Sequence, residues 1–407
     1  MASIKISAAL ISVTCLLGCG SDGAPSPPAS PSGGGNGGSS GGNVGGHAGD
    51  ETSGGTSGVG GSGGQTGGSG SAATAGCQMS ATDAEQPMLL SETHCVDMTD
   101  PTKPAAGLIP YDVNSPLWSD GAVKERFVSI PPGGKIHVKD CAMEPDTCAP
   151  ADMGGSGADE GHWELPVGTV LVKNFSIGGK RIETRLLMRR NETTWKGFSY
   201  EWNDAGTEAT RLSGELDKDL GTQVWHYPSS SQCLECHTKG AGRSLGLTTA
   251  QMNRDFAYAD GMMNQVEKFQ ALALFDTAPT MIAGYPDPFG TAPLAERVRS
   301  YFQTNCSICH RPGGTLSDID FRFTTPYEDM DLECTPIIRG TGDPLLPQVR
   351  LVPGSPEESS VSFRMHDVTT YRMPRIGSSV VDMAAVEMVD EWIAGMPAPA
   401  PDTCPPP

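Results

Sequence analysis

The sequence predicts a multidomain protein in which an all-β N-terminal unit is followed by mainly α modules. Short β-branched or alternating runs, separated by Pro/Gly clusters, occupy roughly residues 84–230. After residue 230, apolar residues recur at three- and four-residue steps, as they do in amphipathic helices. A Gly-rich block with almost no large apolar side chain precedes both regions. These three observations together predict the fold class.

The first 18 residues predict export. Lys5 gives a weakly positive start, and residues 6–17 form an apolar run too short to span a bilayer stably. The Leu-Leu-Gly-Cys sequence that ends at Cys19 resembles the bacterial lipobox, so residues 1–18 are interpreted as a lipoprotein signal peptide and Cys19 as the lipidation site. A cleaved signal with an accidental cysteine is the alternative. Gly20 fits an outer-membrane lipoprotein of the cell envelope, facing the periplasm or the cell surface.

Residues 19–76 predict a lipid-anchored, disordered Gly/Ser-rich tether. Such a segment cannot bury enough apolar surface to offset the entropy lost on ordering. As a flexible coil it would span about 40 Å. We therefore expect it to hold the folded part away from the membrane.

Residues 77–230 predict a β-rich domain, an antiparallel sandwich or barrel-like unit. Phe198, Tyr200 and Trp202 share one face of a strand at period two, which favours a core face over a ligand platform. The runs that predict strands are KERFVSI (124–130), GTVLVKNF (168–175), RIETRLLMR (181–189) and TWKGFSYEW (194–202).

The C-terminal region carries two patterns that predict helices, at 291–305 and 381–396. Between and around them the sequence is rich in loops. We divide this region into a first segment (231–290), a second module (291–398) and a Pro-rich tail (399–407). Each of the first two holds one C-x-x-C-H sequence, and the tail closes the chain.

Two copies of C-x-x-C-H carry the chemistry. The first pentad is Cys233, Cys236 and His237, and the second is Cys306, Cys309 and His310. Thiols three positions apart can reach the two vinyl groups of one porphyrin as thioethers, and the following His then lies under the iron as a ligand. The pattern predicts two haem c groups, each with iron held by its His.

Two other interpretations are weaker. A zinc site made from both C-x-x-C pairs would have to span a long gap, and both pairs would be followed by His by coincidence. A thioredoxin-type dithiol needs one C-x-x-C after a strand in a βαβ unit, and that context is absent from the sequence.

Several segments, taken with the pentads, resemble a bacterial family of exported diheme c-type cytochromes. They are SPLWSDGAVKERFVSIPPG (115–133), WELPVGTVLVKNF (163–175), ETRLLMRR (183–190), QCLECH (232–237), YADGMMNQ (258–265) and CSICHRPGG (306–314). The resemblance implies a β-rich N-terminal region, two haem segments and a role in electron transfer. Residues 291–398 are similar to a class I cytochrome c domain, so the α modules are expected to be cytochrome c-like.

The resemblance to class I cytochrome c also implies a sixth ligand for the second iron. In that domain the distal Met lies in a Met-Pro loop before the last helix, and Met373 with Pro374 matches this pattern. The alternatives are that Met373 only packs, or that Met365, Met383 or Met388 serves instead. The first haem has no such motif. Its candidates are Met252, Met262, Met263 and His226, and the sequence does not choose among them.

Six cysteines remain after Cys15, Cys19 and the four haem thiols are set aside. Six thiols allow fifteen pairings. We expect Cys141–Cys148, which are close in sequence, and Cys334–Cys404, which would fix the tail to the second module.

The sequence predicts electron transfer outside the cytoplasm. It favours an electron carrier over a catalyst. The alternatives are a diheme peroxidase or dehydrogenase subunit with an open site at the first haem, and a redox-sensing surface protein that binds a ligand. The formal net charge of −20 argues against nucleic acid as a partner. It also argues against an anionic membrane surface, so contact with the membrane is expected only through the lipid at Cys19. It leaves redox protein partners with a basic surface open.

Overall fold

The computed structural model describes residues 77, 80, 82–139, 161–400 and 403–404. The predicted signal peptide (1–18), the tether (19–76) with Cys19, and the predicted Cys141–Cys148 pair lie outside these residues. All the described residues belong to one unit, Ser69–Pro407. None of the helices in the described part is long and apolar enough to cross a membrane.

Strands dominate the first half of the described chain. Their bounds are Ile109–Tyr111 (β1), Val123–Ser129 (β2), His137–Lys139 (β3), His162–Glu164 (β4), Val170–Ile177 (β5), Lys180–Arg189 (β6), Trp195–Trp202 (β7), Ala209–Arg211 (β8), Leu216–Asp219 (β9), Val224–Tyr227 (β10), Asp255–Tyr258 (β11) and Gly261–Asn264 (β12). The main sheet has the antiparallel order β1-β2-β5-β6-β7-β8, and β3-β4, β9-β10 and β11-β12 form separate two-stranded sheets. The four strands predicted by the alternating runs are confirmed as β2, β5, β6 and β7.

The turn between β5 and β6 shows why the sequence forms this hairpin. Gly178 and Gly179 have φ values of 57° and 78°. Two successive left-handed residues match the right-handed twist of the flanking strands, and glycine adopts them without a Cβ penalty.

Both faces of the main sheet are covered. Val170, Val172 and Leu186 belong to one buried cluster, which also contains the aromatic stripe Phe198, Tyr200 and Trp202. That stripe is therefore core, as the sequence predicted. Leu171 and Leu187 point to the opposite face and belong to a second cluster, as the alternation of side chains along a strand requires. The functional residues described below lie over this second face.

The helices are short. They are Ser230–Cys236 (α1), Thr249–Met252 (α2), Gln265–Ala271 (α3), Leu294–Asn305 (α4), Ser360–His366 (α5) and Met383–Ala394 (α6). The two predicted helices are present as α4 and α6. They pack through a buried cluster in which the rings of Phe302 and Trp392 lie 6.0 Å apart, nearly perpendicular. The predicted Cys334–Cys404 disulfide is confirmed, and Cys77–Cys95 is also bonded.

The predicted fold class is wrong for the C-terminal region, because no mainly α cytochrome c-like module is present in the described residues. Residues 231–290 contain helices of four to seven residues and the hairpin β11-β12. Helices this short are stable only when packed on other elements, and α1 packs on strand β7 of the main sheet. Between α4 and α5 the chain forms turns and isolated bridges. Helical periodicity at two places does not extend to the whole region. The boundaries predicted at residues 230, 290 and 398 stay predictions.

Candidate functional site

The first pentad lies on and just beyond helix α1. The Ser229 hydroxyl accepts from the backbone N–H of Gln232, and the Gln232 side chain accepts from the backbone N–H of Ser229, which caps the helix at its start. The helical turn puts the Cys233 and Cys236 thiols, three positions apart, on one side. His237 ends the helix, and its backbone N–H donates to the Cys233 carbonyl at 3.1 Å.

A glycine in the sheet makes room for the first thiol. A Cβ atom at Gly197, on strand β7, would lie 2.7 Å from the sulfur of Cys233 and 2.8 Å from its Cβ. Real Cβ atoms do not approach other atoms this closely, so only glycine fits here. Helix α1 can therefore pack against β7 with Cys233 at the contact.

The His237 ring is oriented by the chain that follows it. Its Nδ1 lies 2.5 Å from the backbone carbonyl oxygen of Arg243, so Nδ1 is the protonated nitrogen and donates this bond. Nε2 then keeps its lone pair. Burial lowers the pKa of His237 to about 4, so the ring is neutral at ordinary pH. A neutral imidazole with a free Nε2 is suited to binding a metal ion.

The second pentad begins where helix α4 ends. The carbonyl of Cys306 accepts from the backbone N–H groups of Cys309 and His310, at 3.1 and 3.0 Å, in a tight turn. The His310 ring packs edge-on against Phe321, with ring centroids 5.6 Å apart. Burial lowers the pKa of His310, so this ring is also neutral. In the described part of the chain its buried Nδ1 has no hydrogen-bond partner.

The two pentads are neighbours in space. Hydrogen bonding between the Cys236 and Cys309 thiols raises the pKa of Cys236 and lowers the pKa of Cys309 to about 7. Gly240 and Gly313, which follow the two pentads, touch through their backbones, and a Cβ at Gly240 would overlap the carbonyl of Gly313. Nothing in the sequence indicates this proximity, because the pentads are far apart along the chain.

The thiols of Cys233 and Cys306 are protonated. Burial raises the pKa of Cys233, and it raises the pKa of Cys306 to about 12. A buried thiolate would be costly without a nearby positive charge. None of the four pentad cysteines is in a disulfide, so all four are available for covalent chemistry.

A cavity opens beside the first pentad. Its volume, including the solvent-filled space at its mouth, is about 1500 Å³. Cys233, Cys236 and His237 line one wall, and Leu171 and Leu187 from the main sheet line another. The segment of the second pentad contributes Ser307, Ile308 and Arg311. A large, partly apolar ligand could therefore contact both pentad segments.

The charge of this cavity is opposite to that of the chain as a whole. Its lining includes the cations Arg126, Lys173, Arg185 and Arg311, and Asp120 is the one Asp or Glu in it among the described residues. Arg185 makes two bonds of 2.8 Å to the fully buried Glu183.

Met373, the predicted sixth ligand of the second haem, lies elsewhere. It lines a small separate hollow with Trp118 and Tyr301, and its backbone N–H donates to the Arg364 carbonyl at 2.8 Å. Arg364 is also one of the charges that act on His310. Of the alternatives, Met365 and Met388 are buried in the helical core, whereas Met383 is 52 % exposed. Ligation by Met373 stays a prediction.

The candidates for the first distal ligand separate by position. Met252 is fully buried in the core, and Met262 and Met263 are exposed. His226 does line the cavity, with Nδ1 2.6 Å from Asp217 and Nε2 3.3 Å from the side-chain oxygen of Gln232. The cavity also has a histidine that sequence reasoning missed, His162. No motif surrounds His162, so only the fold could have found it.

The comparisons with known proteins do not support the family resemblance. No protein-family model, curated protein or solved structure matches the chain. The described residues contain no group of three or more His, Cys, Asp and Glu side chains arranged to hold a metal ion. The chain is also β-rich, whereas a class I cytochrome c module is mainly helical. The resemblance to diheme c-type cytochromes with a class I domain is therefore wrong as an identification of family and fold.

Proposed function

We propose that each pentad attaches one haem c, and that the chain transfers electrons outside the cytoplasm. The observation that carries this proposal is the pair of C-x-x-C-H sequences. Each has two thiols that form no disulfide, followed by a neutral, partly buried histidine. The proposal depends on these residues and on no family relationship. It needs two thiols and one imidazole for each haem, not a cluster of ionisable ligands.

The attachment chemistry is balanced without an added oxidant or reductant. Each thiol adds across a vinyl group, so that a carbon–sulfur bond forms and the thiol hydrogen passes to the neighbouring vinyl carbon. At the first pentad, Cys233 and Cys236 lie on one side of α1. His237 follows directly with Nε2 free, which is the arrangement that one porphyrin needs.

The surroundings of the first pentad support the fit. Gly197 leaves space at Cys233, and the cavity has apolar walls beside the thiols. The carbonyl of Arg243 fixes the His237 tautomer, as second-shell groups do for histidines that bind metals. When bound, the haem iron supplies a one-electron redox centre.

The second pentad supports the proposal less directly. A buried imidazole nitrogen without a hydrogen bond costs about 1–3 kcal/mol, and the Nδ1 of His310 is such an atom. A metal ion at Nε2 would leave that cost in place, so the support from this pentad is its two thiols and its neutral ring. Met373, followed by Pro374, stays the proposed sixth ligand here on its sequence alone.

Location and partners belong to the same proposal. Cys19 would carry the lipid and hold the chain at the outer membrane, facing the periplasm or the cell surface. The net charge of −20 favours transient docking of redox proteins with basic surfaces, because complementary charge speeds association.

The test is the mass of the full-length protein, exported from a host that attaches haem c. We expect the polypeptide mass plus two haems, and a haem-stained band on a denaturing gel. The matched control is the same protein made without the attachment machinery, which should carry no stain. An exported protein with no covalent haem contradicts the proposal.

A second candidate function is catalysis at the first haem, as in a diheme peroxidase or dehydrogenase subunit. The observation that favours it is that none of the three candidate methionines, Met252, Met262 and Met263, lines the cavity that holds His237. The fourth candidate, His226, does line it. An open position would give a high-spin ferric spectrum and would bind added imidazole. A low-spin spectrum that imidazole leaves unchanged would favour the electron carrier.

A further inference from the structure

Three cations form a row across the main sheet. Lys173 on β5 is directly opposite Arg126 on β2 in one strand pair, and directly opposite Arg185 on β6 in the next. Residues directly opposite each other have Cβ atoms about 4.5–5.5 Å apart, and like charges in these positions destabilise a sheet. All three side chains line the cavity beside the first pentad.

The outer two cations of the row have partners. Arg126 pairs with Asp112 at 2.6 Å, and Arg185 pairs with Glu183. Asp112 is also shared with Arg254, at 3.6 Å. Asp112 and Glu183 are therefore already engaged by arginines. Asp120, the acid that lines the cavity, accepts from the backbone N–H of Val380 at 2.9 Å.

Lys173 is different. The charged groups that act on it most strongly are the cations Arg126, Lys124 and Arg185 and the thiol of Cys236. No described carboxylate pairs with it, and its ammonium lies 5.4 Å from the centre of the Phe175 ring. Burial and these cations hold the pKa of Lys173 well below its usual range. A lysine in this position is costly unless an anion joins it.

We propose that this row is a carboxylate-binding site, in which the Lys173 ammonium pairs with an acid group of the molecule held in the cavity. Apolar walls at Leu171 and Leu187 with a row of cations between them fit a flat apolar ligand that carries carboxylates. The identity of the ligand rests on the proposed function. If the ligand is haem, the acid groups are the two propionates of its porphyrin.

The test compares two porphyrins on the full-length chain made without covalent haem. One is protoporphyrin IX, with free propionates, and the other is its dimethyl ester, in which both are blocked. We expect the free acid to bind about tenfold more tightly, which is the effect of one charge-assisted hydrogen bond. Porphyrin fluorescence measures both affinities.

Variants assign the difference to one side chain. Lys173→Met should bind both porphyrins equally, and Lys173→Arg should keep the preference for the acid. Lys124→Met is the matched control, because Lys124 is a neighbouring lysine that donates to the Ala122 carbonyl and does not line the cavity. It should also keep the preference. Lys173→Met removes a buried amine that no described carboxylate pairs with, so the ligand-free variant should melt at or above the wild-type temperature.

The outcomes decide the inference without reference to haem attachment. It is overturned if the wild type does not distinguish the acid from the ester, if it binds neither, or if Lys173→Met keeps the preference. The proposed function fails separately, when the exported protein has no added haem mass. A chain that prefers the acid but attaches no haem would support the carboxylate site and contradict the haem proposal.

Discussion

The two pentads share one sequence pattern but lie in different surroundings. The His237 ring is held by the carbonyl of Arg243, six residues later, and His237 lines an open cavity. The His310 ring is held by packing on Phe321, and its Nδ1 has no partner in the described part of the chain. The pattern brings thiols and imidazole together, whereas residues outside the pattern decide which nitrogen of the ring is free.

A second difference concerns what supports each pentad. The first pentad lies on a seven-residue helix that packs against the main sheet at Gly197. The second follows the 12-residue helix α4, in a core that contains Phe302 and Trp392. The first is therefore sensitive to changes in the sheet, and the second to changes in the helical core and its disulfide.

The largest expected effect is the loss of one haem at a time. Cys233→Ala with Cys236→Ala should leave a protein with the second haem only, and Cys306→Ala with Cys309→Ala should leave the first only. The reason is that each pair supplies both thioethers of one haem. Intact mass measures the number attached. If removing either pair abolishes both haems, the two pentads do not attach haem independently.

The two disulfides should contribute unequally to the free energy of unfolding. The Cys334–Cys404 bond closes a loop of 70 residues, and the Cys77–Cys95 bond closes one of 18. By loop-closure entropy, replacing both cysteines with serine should lower the free energy of unfolding by about 4 kcal/mol for the long loop and about 3 kcal/mol for the short one. Urea denaturation of the oxidised proteins measures both. A larger loss at the short loop would contradict this ranking.

Gly197→Ala tests the sheet contact of the first pentad. The added Cβ would overlap Cys233, so α1 must shift, and overpacking of this kind costs about 1–3 kcal/mol. Gly214→Ala is the matched control, since a Cβ there meets no atom within 4 Å. Thermal unfolding should show a loss for the first variant and almost none for the second. Equal stabilities would mean that α1 does not pack on β7 at this residue.

The smallest expected effect is a change of coordination at one haem. Met373→Ala should open the sixth position of the second haem, so that this haem becomes high-spin or binds imidazole. Met373→His should lower the reduction potential of the same haem, because thioether ligation raises it. Met383→Leu is the control, since Met383 is exposed at the start of α6. Magnetic-dichroism spectra that Met373→Ala leaves unchanged would place the ligand elsewhere.

The sequence predicted those parts of the fold that depend on local pattern. Strands β5, β6 and β7 alternate or carry β-branched residues, and α4 and α6 have helical periodicity, so each is legible within a short window. The α modules were wrongly predicted because two helices and a family resemblance were extended to residues that form turns and hairpins. The helical periodicity covers only α4 and α6, which have 12 residues each, and says nothing about the residues between them.

Only the pentad residues of the site could be predicted from the sequence. The cysteines and histidines of the pentads follow from spacing. The row Arg126, Lys173 and Arg185 follows from strand register, which is set by pairing between residues far apart in the chain. Lys173 stands in an ordinary strand sequence, and nothing near it in the chain indicates that its side chain reaches the cavity. The same holds for His162.

The span of the cavity along the chain has a consequence for the order of folding. Its walls include Tyr111, from the first strand of the main sheet, and Gly377, close to the last helix. Contacts between residues so distant in sequence form late, because the loops between them must close first. During the proposed export, the sheet can assemble while residues after 300 are still emerging. A bulky group thus has a period in which to reach Cys233 before the final wall arrives.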